Sequence, residues 1–244
     1  MSLAITLATM RRILAQLKND HRTLGMLIGV PSLLMILLRY VFDQPVVFDR
    51  VGPMLLGLFP FLIMFIVTSV ATLRERTGGT LERLMTMPAG KLDLLFGYAL
   101  AFGVITLAQV GVVLLISLTW LGLDLSGSLA SLVLVAVLDA LLGMALGLFA
   151  SAFARTEFQA VQFMPAFVLP QLLLCGLIMP RDDMAPWLEA ISRVLPLTYA
   201  VDGMQEISRV PDFTGTLAAD VAVVAGFTFV ALLLGAATLR RRTA

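Results

Sequence analysis

The hydrophobic positions of this chain fall into long blocks separated by short polar stretches. Six blocks approach or exceed the roughly 20 helical residues needed to cross a hydrocarbon layer: about 23–42, 52–73, 94–121, 129–153, 158–180 and 216–239. A β-barrel would instead show segments of about 10 alternating residues, and none occur. Pro31, Pro53, Pro60, Pro165 and Pro170 fall inside the blocks; proline is tolerated in a span where neighbouring helices satisfy the freed carbonyl. Ahead of the first block, Leu3, Leu7, Met10, Leu14 and Leu17 follow an i, i+4, i+7 pattern, with Arg11, Arg12, Gln16 and Lys18 beside or opposite it. This predicts an amphipathic helix over 2–20 that either lies in the membrane interface or packs as an ordinary helix. Its charges follow the apolar stripe and no A-x-A site succeeds it, so it does not read as a cleavable signal. No internal repeat or low-complexity linker divides the chain. Residues 1–244 read as one all-α transmembrane domain.

Composition sharpens this. The chain is 59% hydrophobic and 14% charged, with a mean hydropathy of +0.98; a soluble domain carries about 25% charged residues. A net charge of +1 gives no reason to expect a nucleic-acid partner. Cys175 and His21 are single, which excludes an intramolecular disulfide and a His/Cys metal site on ligand count.

Charge placement sets the orientation. Arg11, Arg12, Lys18, Arg22, Arg74, Arg76, Arg83, Lys91, Arg155, Arg240, Arg241 and Arg242, twelve of the seventeen basic residues, fall on one side. Arg39, Arg50, Arg181, Arg193 and Arg209 fall on the other, with most of the acids. By the positive-inside rule both termini are cytoplasmic, in a multi-pass protein of the cell's inner membrane.

The loop after the second block reads Arg74-Glu75-Arg76-Thr77-Gly78-Gly79-Thr80-Leu81-Glu82-Arg83-Leu84-Met85-Thr86-Met87-Pro88. Gly78-Gly79 breaks the outgoing helix. Thr80 suits an N-cap, Glu82 a first turn. Leu81, Leu84 and Met85 share one face, and Pro88 stops the element. A two-turn helix is marginal alone, so it either caps the bundle or docks on something else.

These residues resemble the coupling loop of ABC-2 type exporter membrane subunits, in the drug-export branch typified by daunorubicin-resistance permeases. The resemblance departs at Thr77 and Gly78, where that family more often has an acid or serine. It implies that Arg74, Glu75, Gly79, Thr80, Leu81, Glu82 and Leu84 belong to a helix that couples to an ATPase. It also implies two membrane subunits, identical or different, and two ATP-binding subunits that hold ATP and Mg; this chain binds no cofactor itself. The layout fits as well: an interfacial helix, six spans, and a polar segment before the last span.

That polar segment, 180–214, carries Pro186 at a position suited to a helix start and an apolar face of Trp187, Leu188, Ile191 and Leu195. It restarts at Pro196-Leu197-Thr198-Tyr199-Ala200-Val201-Asp202. Trp187 and Tyr199 suit the outer interface. The segment is either an extracellular loop or, as the resemblance implies, a re-entrant hairpin gating the outer end of the path through Trp187, Pro196, Tyr199 and Asp202.

Asp139 stands mid-span, where a carboxylate costs on the order of 3 kcal/mol. It shares a face with Gly143 and Gly147, a close-packing pattern. It lines a substrate path or pairs with Arg39, or else it is an interhelical hydrogen-bonder or a neutral acid. Gln162 and Gln171 either meet a ligand or bridge helices. Arg155-Thr156-Glu157 is a solvated turn or a second ATPase contact. No catalytic motif occurs. Gly90-Lys91 is followed by Leu92 and position 85 is Met, so G-x-x-x-x-G-K-[ST] fails and ATP hydrolysis falls to another polypeptide. The alternative is a secondary transporter with Asp139 as ion or proton site, though the repeats such carriers show are missing.

Overall fold

The computed structural model describes residues 2–79 and 90–238. The described residues form helices α1 (Leu3–Asn19), α2 (His21–Phe42), α3 (Pro45–Thr77), α4 (Lys91–Thr119), α5 (Leu129–Ala150), α6 (Glu157–Leu174), α7 (Pro186–Ser192), α8 (Pro196–Ile207) and α9 (Gly215–Thr238), with a 3-10 turn at Arg181–Asp183. Five of them, α2, α3, α4, α5 and α9, are long and apolar enough to cross a membrane.

The predicted span 158–180 is helical only over 18 residues, Glu157–Leu174, about 27 Å at 1.5 Å per residue. Gln159, Gln162 and Gln171 dilute its apolar character. The chain leaves the helix at Gly176, whose φ of 88° lies in the left-handed region. The second predicted span grows instead into a 33-residue helix, α3, begun by Pro45 at its first position.

Helices α3 and α5 form the buried centre, and α2 and α9 lie outside with side chains such as Leu33, Leu37, Phe229 and Leu233 turned outward. The central pair touch backbone to backbone. A Cβ added at Gly143 or Gly147 would overlap the carbonyl oxygens of Phe61 and Phe65 respectively. Gly57 lies one four-residue step back from Phe61 along α3, and Asp139 one step back from Gly143 along α5; a Cβ on Gly57 would be 3.7 Å from the Asp139 carboxylate. Positions 57, 61 and 65 therefore match 139, 143 and 147 in four-residue steps, so the two helices run parallel. The seam is a small-residue contact of the membrane type, and it confirms the shared face expected for Asp139, Gly143 and Gly147.

The N-terminal helix is present, but turned from its expected orientation. Its buried residues are Thr6, Thr9 and Ile13, with Met10, Leu14 and Leu17 partly covered, while Leu3 and Leu7 face outward. The reason is Gly97 on α4. Thr9 fills the space a side chain there would take, with Thr9 Cγ2 2.7 Å from the would-be Cβ. Between α1 and α2 stands one residue, Asp20. Its carboxylate caps α2 by accepting from the Thr23 N–H at 3.1 Å and the Thr23 hydroxyl at 2.6 Å, and these bonds hold its carboxyl below the ordinary aspartate value.

Replacing Gly143 by alanine should cost about 1–3 kcal/mol, the range for overpacking a tight contact. Gly111→Ala, which meets nothing within 4 Å, should be neutral or slightly stabilising. Thermal unfolding of the detergent-solubilised variants distinguishes the two; equal melting temperatures would mean that the α3–α5 approach is not tight.

Candidate functional site

Consecutive helical residues point about 100° apart, so the last turn of α3 sends three charged side chains in three directions. Arg74 donates through Nε and Nη2 to both oxygens of Glu157, at 2.7 and 2.8 Å, at the start of α6. Glu75 Oε1 accepts from Arg12 Nη1 of α1 at 3.0 Å, and Arg12 Nη2 donates to the Tyr98 hydroxyl of α4 at 3.2 Å. Arg76 Nη2 donates to Thr238 Oγ1 at the end of α9 at 3.3 Å. Arg74 and Glu75, expected in the ATPase-coupling element, are thus engaged within the chain. The Arg74–Glu157 pair is exposed; Glu75 is largely buried, its side chain 15% accessible. The Arg74 guanidinium holds the Glu157 carboxyl below its ordinary value, so this pair weakens as pH falls through that lowered value.

After Thr77 the helix stops as expected, with Gly78 as cap and Gly79 at a φ of 70°. Thr80, Leu81, Glu82 and Leu84 lie outside the described residues. Where the chain returns, the buried Asp93 accepts from the Gly90 N–H at 3.1 Å and the Ser2 N–H at 2.9 Å. Both flanks of this segment are therefore tied to α1.

At the opposite end of the bundle, Pro186 and Pro196 open α7 and α8 at their first positions. The corner between them is closed by the Thr198 hydroxyl donating to Ser192 O at 2.8 Å and the Tyr199 hydroxyl donating to Arg193 O at 2.6 Å. Helix α8 buries Leu197, Ala200, Val201, Met204 and Ile207. Asp202 pairs with Arg181 at 2.6 Å. Trp187 is 65% exposed, and with Ile191 of α7 and Val194 just after it the side chain faces away from the bundle. Beside α8, Asp49, Arg50, Asp124, Gln205 and Arg209 line a recess of about 270 Å³.

Asp139 is fully buried, and its Oδ1 has no hydrogen-bond partner among the described residues. Arg39 is not its partner. It donates to Leu121 O at 3.1 Å and lies over the Phe48 ring, 5.7 Å from its centroid. Gln171 is buried and donates to Phe167 O of its own helix at 3.0 Å. Gln162 is exposed, beside Arg155, Gln159 and Phe163 in an open recess. Nine residues put Gln162 and Gln171 on opposite sides of α6, so the structure does not gather Asp139, Gln162 and Gln171 into one site.

The profile of the ABC-2 type transporter family matches residues 4–208. This chain belongs to that family. Its relatives include the ABC transporter G family member 20 of Dictyostelium discoideum, 30% identical over 159 residues, covering 65% of this chain and 22% of that protein. The probable multidrug ABC transporter permease YbhR of Escherichia coli K12 is 29% identical over 157 residues, 64% of this chain and 43% of the relative. The linearmycin resistance permease protein LnrN of Bacillus subtilis 168 is 32% identical over 161 residues, 64% and 41%. The chain thus spans less than half the length of these relatives. As an ABC-2 family member it is a multi-pass membrane component of a transporter.

Sequence reasoning missed Arg12, Asp93 and Arg181 as partners. The signal available for Arg12 was a basic residue in a helix bound for packing; nothing local pointed from it to Glu75. Removing Arg12 alone leaves Glu75 buried without a partner, so Arg12→Ala should cost about 1–3 kcal/mol. The pair Arg12→Met/Glu75→Leu should cost less than the sum of its single changes. Melting temperatures of the four proteins in detergent measure this cycle; additive losses would mean the pair carries no interaction.

Proposed function

We propose that this chain is the membrane subunit of an ATP-driven exporter for amphipathic molecules such as drugs, secondary metabolites or lipids. It crosses the inner membrane six times, α6 included, with both termini cytoplasmic. Two copies, or one copy and a related subunit, enclose the path, and two separate ATP-binding subunits supply ATP and Mg. The observation that carries the reading is the root of the segment between α3 and α4. Its flanking residues Glu75 and Asp93 hold α1, and Arg74 and Arg76 hold α6 and α9. A push delivered there reaches three further helices, α1, α6 and α9, at once. The sequence period supplies the docking face, Leu81 and Leu84, between two fixed flanks.

On this reading α7 and α8 form the re-entrant outer gate, and the outward Trp187 meets lipid or the second membrane subunit. The names of the relatives YbhR and LnrN point to drug-like cargo. The competing reading, a gradient-driven carrier, rests on Asp139, whose Oδ1 has no hydrogen-bond partner among the described residues.

Leu81→Glu should lower recovery of the ATP-binding partner in co-purification by roughly thirtyfold, equivalent to about 2 kcal/mol lost at an interface hot spot, with the permease still in the membrane. Undiminished recovery would refute the docking face. For the topology, Thr243→Cys on a Cys175→Ser background should resist an impermeant maleimide in intact cells; ready labelling from outside would reverse the orientation.

A further inference from the structure

Helix α6 is sparsely buried, at Ala160, Val168 and Gln171. Its polar attachments gather at its ends. At the base, the Thr156 hydroxyl accepts from the Gln159 N–H at 3.2 Å, and the Arg155 N–H donates to Gln159 Oε1 at 2.8 Å. Glu157 takes both Arg74 bonds there, four residues before Gly78. At the top the chain turns at Gly176. The Arg181 stem passes over that glycine, its Cγ 3.6 Å from where a Cβ would stand. The Arg181 guanidinium meets Asp202 of α8 at 2.6 Å, and Gln205 Nε2 donates to Gly176 O at 3.5 Å.

The outer attachment is to a buried element. Helix α8 carries Met204 onto Gly57 of α3, beside Asp139. Helix α6 and the turn that follows it therefore join the exit of α3 at one end of the bundle to the hairpin at the other, with one arginine–carboxylate pair at the base of the helix and one at the 3-10 turn, seven residues past Leu174. The exposed Arg74–Glu157 pair adds little to static stability, and being bidentate it fixes position; the Arg181–Asp202 pair is a single, partly covered contact.

We propose that α6 is a two-ended tie. Arg74–Glu157 and Arg181–Asp202 act as positioning pairs that make the end of α3 and the α7–α8 hairpin move together. The use of that motion in transport rests on the exporter reading, but the coupling itself does not.

The test uses the full-length chain in intact cells, on the Cys175→Ser background, with Ala190→Cys on α7 as reporter for an impermeant maleimide. Arg74→Glu should raise the labelling rate by at least about threefold, a low value for linked sites. Arg74→Glu/Glu157→Arg should restore the parent rate. Arg181→Glu should also raise it, and adding Arg74→Glu to Arg181→Glu should change nothing further. Unchanged labelling in Arg74→Glu, no recovery in the reversed pair, or independent multiplication of the two effects would overturn the tie. Should Arg74→Glu fail to insert, Glu157→Gln removes only an exposed charge and gives the same comparison. Co-purification of the ATP-binding partner with the parent protein is scored alongside. Its absence defeats the exporter reading and leaves the labelling result standing.

Discussion

The rest of the structure depends on the approach of α3 and α5. Without side chains at Gly143 and Gly147 the two backbones can meet at the Phe61 and Phe65 carbonyls. Inside a membrane such contact matters more than in water, since apolar surface alone gives helices no reason to prefer each other over lipid. Once the pair is set, α8 can lay Met204 on Gly57, α9 can pack on α5 through Gly235 against Leu148, and α6 can follow α3 through Phe163 and Val168. The seam also determines the setting of Asp139, which follows from its register with Gly57.

Charge is handled differently at the two ends of this seam. At the exit of α3, ionic and hydrogen bonds are distributed one per neighbour. Because three adjacent residues serve three helices, none of those helices can shift without changing a contact of the same short turn. At the other end the connections pass through loops, as in the Asp124 N–H donating to Asp49 at 3.0 Å and the Arg181–Asp202 pair. At the α3 exit, then, helix ends meet side chain to side chain, while the opposite end of the bundle is joined through the loops.

Much of the architecture was legible in the residues because it depends on local rules. Hydrophobic block length located α2, α3, α4, α5 and α9; the prolines placed the starts of α7 and α8; the glycine pair ended α3. The i, i+4 recurrence of Asp139, Gly143 and Gly147 identified the seam. What depended on distant neighbours was not legible. The stripe on α1 was turned because Thr6 and Thr9 do not look like core residues until Gly97 makes room for one of them. Arg39 was a reasonable partner for a buried acid, yet it found a carbonyl and an aromatic ring nearer at hand. For Arg74 and Glu75, assigned by resemblance to the ATPase-coupling element, nothing local pointed to their partners within the chain, Glu157 and Arg12, which lie 83 and 63 positions away.

The single residue between α1 and α2 bears on how such a chain can vary. Inserting one residue at Asp20 would turn α1 by about 100° about its axis. That would carry Thr9 off Gly97, Arg12 away from Glu75 and the Ser2 N–H away from Asp93, undoing three unrelated contacts at one stroke. Substitutions at the outward positions Leu3 and Leu7 disturb none of them. In this corner of the protein, then, spacing is constrained more strictly than side-chain identity, and insertions and deletions should be rarer there than changes of residue.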